Sequence, residues 1–103
     1  MAVIYVNVYR PIPPRMQEHL AQAAEGIKII ERVGARARFV QTVAGARPGT
    51  TAFVTEFDDM AQFAEVGAKL QVDAEWLAFV AKIASDPVAE LIESNLSSDV
   101  PLP

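Results

Sequence analysis

The sequence predicts one α+β domain with the element order β-α-β-β-α-β. Three observations carry that expectation. The chain has 103 residues, the size of one ordinary domain. Of these, 51% are apolar and 21% charged, so the chain can build a core and lacks the low hydrophobicity and high net charge of a disordered one. Prolines and glycines cut it into short segments whose apolar spacing switches between the periods of strand and helix.

Val3 to Tyr9 is rich in β-branched and aromatic residues and too short for a helix. Side chains alternate along a strand, so Ile4, Val6 and Val8 share one face and Tyr5, Asn7 and Tyr9 the other. Both faces suit burial, as in a central strand. Arg10-Pro11-Ile12-Pro13-Pro14 then reads as a rigid connector, because proline lacks the N–H a ladder needs. Pro14 fits the first turn of a helix, where that N–H is not used. The helix runs from Arg15 to Val33, with Met16, Leu20, Ala23, Ala24, Ile27 and Ile30 as its apolar stripe. Gly26 inside it costs up to about 1 kcal/mol relative to alanine and points to close packing or a bend. Gly34 suits the residue that stops it.

Ala35 to Val43 reads as a second strand, with Arg36 and Arg38 marking an edge. A loop through Gly45, Pro48 and Gly49 joins it to a third strand, Thr50 to Phe57, as a hairpin. Asp58 or Asp59 caps the next helix, which runs to Gln71 with Met60, Phe63, Ala64, Gly67 and Leu70 inward. Asp59 and Gln62 have the spacing of a capping box. Asp73 caps a short helix from Ala74 to Ala84. The stretch from Val88 to Asn95 is ambiguous: propensity leans helical, while the order of the other elements lacks one strand to complete a split βαβ unit. It is read as a strand, giving a single domain over 1–96 and a tail over 97–103.

Composition removes several functions. With no cysteine, there is no disulfide, thiolate zinc site, iron–sulfur cluster or cysteine nucleophile. One histidine, His19, excludes a multi-histidine metal site within one chain. No cofactor or metal is expected. A net charge of −4 argues against nucleic acid. No apolar run approaches membrane-spanning length, and the N-terminal run lacks signal-peptide features, so a cytoplasmic protein is expected. No phosphate loop, serine elbow or HExxH pattern is present.

The segment Asp73-Ala74-Glu75-Trp76-Leu77-Ala78-Phe79, after the second helix, resembles a D-x-E-W turn of the dimeric α+β barrel superfamily. The resemblance is closest to its NIPSNAP-like members. The opening strand, proline connector and long helix match as well, so it covers roughly residues 3–96. The superfamily includes antibiotic-biosynthesis-monooxygenase-like (ABM-like) cofactor-free monooxygenases, haem-degrading enzymes and small isomerases. The resemblance implies a ferredoxin-like protomer, a four-stranded antiparallel sheet with helices on one face. It also implies a homodimer closing an eight-stranded barrel, with a pocket between sheet and helices. A sheet covered on one side supports the dimer independently. If its open face carries Tyr5, Tyr9, Phe39 and Phe53, exposure costs about 25 cal/mol per Å² of apolar area. The oxygenase and haem groups use an asparagine on the first strand, and Asn7 has a compatible place. Trp76 lies near their tryptophan but in the D-x-E-W turn. Phe79 stands about where the haem group needs histidine, so the chain departs from that group.

Asn7 and His19 are the candidate catalytic residues. Asn7 interrupts an apolar strand, so its amide serves either a structural hydrogen bond or a pocket. His19 falls at the edge of the apolar stripe, as a solvent-edge histidine or a general base at a pocket mouth. Tyr5, Tyr9, Phe63 and Trp76 are the candidate ligand-binding residues. The tyrosines suit a core or interface equally, and the cluster of Trp76, Phe79, Phe63 and Met60 suits a core. Two functions follow: a small enzyme performing cofactor-free oxygenation or isomerisation on an apolar or aromatic ligand, or a ligand-binding or interaction protein without catalysis. A polar-lined cavity with Asn7 and a tyrosine hydroxyl favours the first; a cavity filled by Phe and Leu favours the second. The expected partners are a second copy and a small apolar ligand, not nucleic acid or a membrane.

Overall fold

The computed structural model describes residues 1–103. Strand β1 (Val3–Pro11) leads through a 3-10 turn (Pro13–Arg15) into helix α1 (Met16–Arg32). Strands β2 (Arg36–Gln41) and β3 (Thr51–Phe57) follow, then helices α2 (Met60–Gln71) and α3 (Ala74–Ser85), then strand β4 (Ala89–Ser98). The sheet order is β2-β3-β1-β4, with every neighbouring pair antiparallel. This is a ferredoxin-like α+β fold with β1 at the centre.

The ambiguous segment is a strand. β4 pairs along β1 from Val3↔Ser98 to Pro11↔Ala89, with a bulge between Val8 and Tyr9. Without it, one side of the central strand would leave its backbone groups unpaired, a larger cost than the weak helical preference of these residues. The strand also runs two residues beyond the expected domain end. Ser97 and Ser98 are in the ladder, and Asp99 donates its backbone N–H to Ala2 O at 3.0 Å. Pro11, expected to stand outside the sheet, is the last residue of β1. Ile12 N–H bonds Val88 O at 3.0 Å, so alternation aims position 11 away from β4. On that other side the pairing with β3 has already ended at Tyr9↔Thr51, and no donor is needed.

The hairpin forms as expected, closed by Thr42 N–H to Thr50 O at 2.9 Å. Asp59 caps α2 by accepting from Gln62 N–H at 2.8 Å. Gln62 returns the bond to Asp58 N–H, one residue earlier than in a standard capping box. Gly34 ends α1 with φ +107°. Gly26 marks close packing. A Cβ there would sit 3.2 Å from Phe53 Cε2 and 3.3 Å from Phe79 Cζ. Met60 faces solvent at 53% exposure, against the inward place expected for it.

The sequence left open which sheet face carries the aromatic residues. Tyr5, Tyr9, Phe39 and Phe53 point toward the helices, where Tyr5 meets Phe63 and Tyr9 meets His19. By alternation, the open face carries Ile4, Val6, Val8, Val40 and Val54, with Arg36, Arg38 and Glu56. The apolar open face is therefore aliphatic.

The core occupies one end of the sheet–helix layer. Val3, Ile30, Val33, Ala35, Phe57 and Val66 form a buried cluster. Tyr5, Phe63, Leu70 and Trp76 pack against it.

Candidate functional site

At the other end, the same layer is hollow. A cavity of about 230 Å³ lies between the sheet, α1 and α3. Its apolar walls include Phe39, Phe53, Trp76, Phe79 and Ile83, and Val88 and Ala89 close one side. Its polar groups come from Asn7, Tyr9, His19 and Gln22, and no Lys, Arg, Asp or Glu lines it.

β1 and β4 position Asn7. Its register partner is Ser94, whose hydroxyl donates to Asn7 Oδ1 at 2.6 Å. The amide oxygen is thus engaged, and the amide N–H group is left to act as a donor.

His19 is buried, at 5% exposure, where the sequence suggested a place at the solvent edge. It falls four residues before Ala23 and seven before Gly26, the small residues by which α1 approaches the sheet. Its Nε2 lies 2.8 Å from Thr51 Oγ1. The rings of Tyr9 and Phe39 meet the imidazole edge-to-face, with centroids at 5.6 Å and 5.2 Å. Burial disfavours the charged imidazolium and holds the pKa of His19 below its ordinary value of 6.5. The same physics raises the Tyr9 phenol above 10, with Tyr5 adding to it. Both groups are therefore neutral near pH 7.

The D-x-E-W segment positions Trp76. Asp73 accepts from Trp76 N–H at 2.8 Å and caps α3. Arg32, at the end of α1, places one guanidinium nitrogen 2.8 Å from both Asp73 carboxylate oxygens and 3.0 Å from Glu75 Oε1. The Trp76 N–H first, and then Arg32, hold the Asp73 carboxyl below the usual carboxylate range. Asp73 and Glu75 thereby dock α3 on α1 and set Trp76 at the junction of core and cavity. At the opposite corner, Arg15 binds Asp86 at 2.5 Å and 2.7 Å and also pairs with Glu18. This ties the start of α1 to the turn that precedes Val88.

The cavity thus gathers Asn7, Tyr9, His19 and Trp76. Tyr5 and Phe63 stand outside it. Their rings meet at 6.2 Å, and Phe63 packs edge-to-face on Phe57 at 5.2 Å, within the core. Ser94, Thr51 and Gln22 were not singled out from the sequence. Ser94 and Thr51 become visible only through strand register, which sets one opposite Asn7 and the other opposite Tyr9. No three His, Cys, Asp or Glu side chains cluster as a metal site would require, and no helix is long and apolar enough to cross a membrane.

No protein-family profile and no curated protein matches the chain. Solved structures do. A NIPSNAP family protein from Agrobacterium tumefaciens superposes with TM-score 0.75 at 23% identity, over 96% of this chain and 86% of that one. An uncharacterised NIPSNAP domain protein from Burkholderia xenovorans gives 0.71 at 24%, over 97% and 94%. An antibiotic biosynthesis monooxygenase-like protein from Chloroflexus aurantiacus gives 0.65 at 14%, over 98% and 95%. The chain therefore has the fold of the NIPSNAP and antibiotic-biosynthesis-monooxygenase-like superfamily.

Proposed function

We propose that the chain is a small enzyme that performs cofactor-free isomerisation or oxygenation on an uncharged apolar or aromatic ligand. One observation carries this reading: an imidazole, an amide donor and a phenol, with Gln22, converge on a cavity whose other walls are apolar. A charged ligand would lose its hydration there and meet no counter-charge. Size narrows the class. A dry cavity of about 150 Å³ admits benzene, so 230 Å³ suits one or two rings.

His19 acts as the general acid, donating toward the ligand oxygen, because no other group lining the cavity titrates near neutrality. Asn7 N–H holds the ligand oxygen on which charge builds. In isomerisation, a C–H bond breaks and its proton passes to water, the electron pair delocalises onto that oxygen, and a proton returns at another carbon. In oxygenation, the deprotonated carbon adds dioxygen and the resulting peroxide loses water, so that a CH2 group becomes C=O and the second oxygen atom leaves as water. The fold shared with a monooxygenase-like protein supports the second version.

The test is deuterium exchange from solvent into neutral one- and two-ring ketones and phenols, with Trp76 fluorescence reporting binding. Trp76 is the only tryptophan. Exchange that falls about 10²–10⁴-fold in His19→Ala supports the enzyme. Binding without exchange supports a ligand-binding protein instead.

The functional unit is proposed to be a homodimer through the open sheet face. Ile4, Val6, Val8 and Val54 make that face apolar, which costs free energy in water. Arg36 and Arg38 lie toward its β2 edge, and Glu90 and Glu93 toward its β4 edge. A two-fold axis along the strands would set each edge over its opposite in the partner. Light scattering at micromolar concentration checks this; a monomer overturns it, and Val6→Glu is expected to produce one.

A further inference from the structure

We infer that Thr51 is the positioning residue of His19, donating its hydroxyl proton to Nε2 so that the imidazole presents Nδ1–H to the cavity. This rests on the proposed ligand site and specifies what that site reads. A neutral imidazole carries one N–H and one bare nitrogen, and its neighbours decide which is which. Thr51 is buried at 2% exposure, and the only side-chain partner of its hydroxyl is His19 Nε2, at 2.8 Å. Two arrangements are possible. If Nε2–H donated to Thr51, the threonine proton would be left without a protein acceptor at a buried residue, at the desolvation cost of an unmade bond. If Thr51 donates, its proton is satisfied and Nε2 is the bare nitrogen. The N–H then falls on Nδ1.

Nδ1 has no partner within the protein, yet no buried side-chain nitrogen or oxygen is orphaned. Nδ1 therefore borders open space, and the space beside His19 is the cavity. Tyr9 and Phe39 meet the ring edge-to-face, and a flipped ring would carry Nε2 away from Thr51. Ser94 treats Asn7 in a parallel way, by occupying its oxygen and leaving its N–H donors. Two strand hydroxyls thus make Asn7 and His19 present N–H donors at the polar end of the cavity. The ligand this selects is neutral and carries a hydrogen-bond acceptor, such as a ketone oxygen. His19 meets that oxygen as a donor that polarises the carbonyl, while the C–H proton passes to water, since the bare Nε2 is turned to Thr51.

The sole histidine makes this readable. Nitrogen-15 NMR of His19 above its titration range distinguishes the tautomers directly. Nδ1–H is expected in the wild type, a shift toward Nε2–H in Thr51→Val, and recovery in Thr51→Ser. Nε2–H in the wild type overturns the inference, whatever the variants do. Acetophenone and ethylbenzene, similar in size and differing in the acceptor, provide the second arm, followed through the His19 resonances. Thr51→Val is expected to weaken acetophenone about tenfold and leave ethylbenzene unchanged. Equal weakening of both probes would mean that Thr51 only shapes the cavity, and overturns the donor role. If neither probe binds, the proposed ligand site fails, while the tautomer still decides the role of Thr51.

Discussion

The two ends of the layer between sheet and helices are built from different material. At the start of β1, Val3 packs with Ile30, Val33, Phe57 and Val66, branched and aromatic side chains without a hydrogen-bonding atom. Further along the same strand and the same face, Asn7 and Tyr9 replace that pattern and meet His19 and Gln22. The first set interdigitates and leaves no room. The second carries polar groups that need partners, and the layer stays open around them. Trp76 belongs to both, packed on the core and lining the cavity. One end supplies stability and the other is free to bind.

The strongest way to break that distinction is to truncate one phenylalanine at each end. Phe57 is 4% exposed within the core cluster. Phe57→Ala is expected to cost about 3–5 kcal/mol. Phe39 already borders two cavities, of about 230 Å³ and 220 Å³, and is only half-buried. Phe39→Ala is expected to cost about half as much and to enlarge the ligand space. Denaturant unfolding measures both. Equal losses would show that the hollow end is as structural as the packed one.

The packed end was far more legible in the sequence. Apolar periodicity marked β1, α1 and α2, and the capping roles of Asp59 and Asp73 follow from local chemistry that needs no tertiary partner. β4 was legible only through topology, since Glu90, Leu91 and Ile92 prefer a helix when considered alone. The hollow end depended on facts that local patterns do not carry. Which strand face meets the helices was left open, because Ile4-Val6-Val8 and Tyr5-Asn7-Tyr9 both suit burial and alternation does not decide between them. His19 was placed at the solvent edge because Leu20 beside it dominates the stripe. The helix instead turns Ala23 and Gly26 to the sheet, carrying His19 inward and leaving Leu20 at 40% exposure. Ser94 and Thr51 are ordinary strand residues until register sets them beside Asn7 and His19.

A smaller effect sharpens the same comparison through acid. The unfolded chain protonates His19 near pH 6.5, whereas burial at the hollow end holds the folded value lower. Between the two values the unfolded state binds more protons, so stability rises with pH across that interval. The His19 contribution is complete above about pH 6.5 and is lost as pH falls to the folded value, where the loss levels off. The carboxylates that dock the helices behave differently. Trp76 N–H and Arg32 lower Asp73, and Arg15 lowers Asp86, both below 3.8. Their contribution persists until pH falls into the carboxylate range. The wild type is therefore expected to weaken in two stages, the hollow end first. His19→Gln, which does not titrate, should remove the upper stage and keep the lower. Denaturant midpoints at pH 7.5, 6 and 5, and again below about pH 4, separate these outcomes. An unchanged slope in the variant would show that the imidazole takes up its proton as readily in the folded cavity as in water. The cavity would then be too wet to be the apolar site its walls describe.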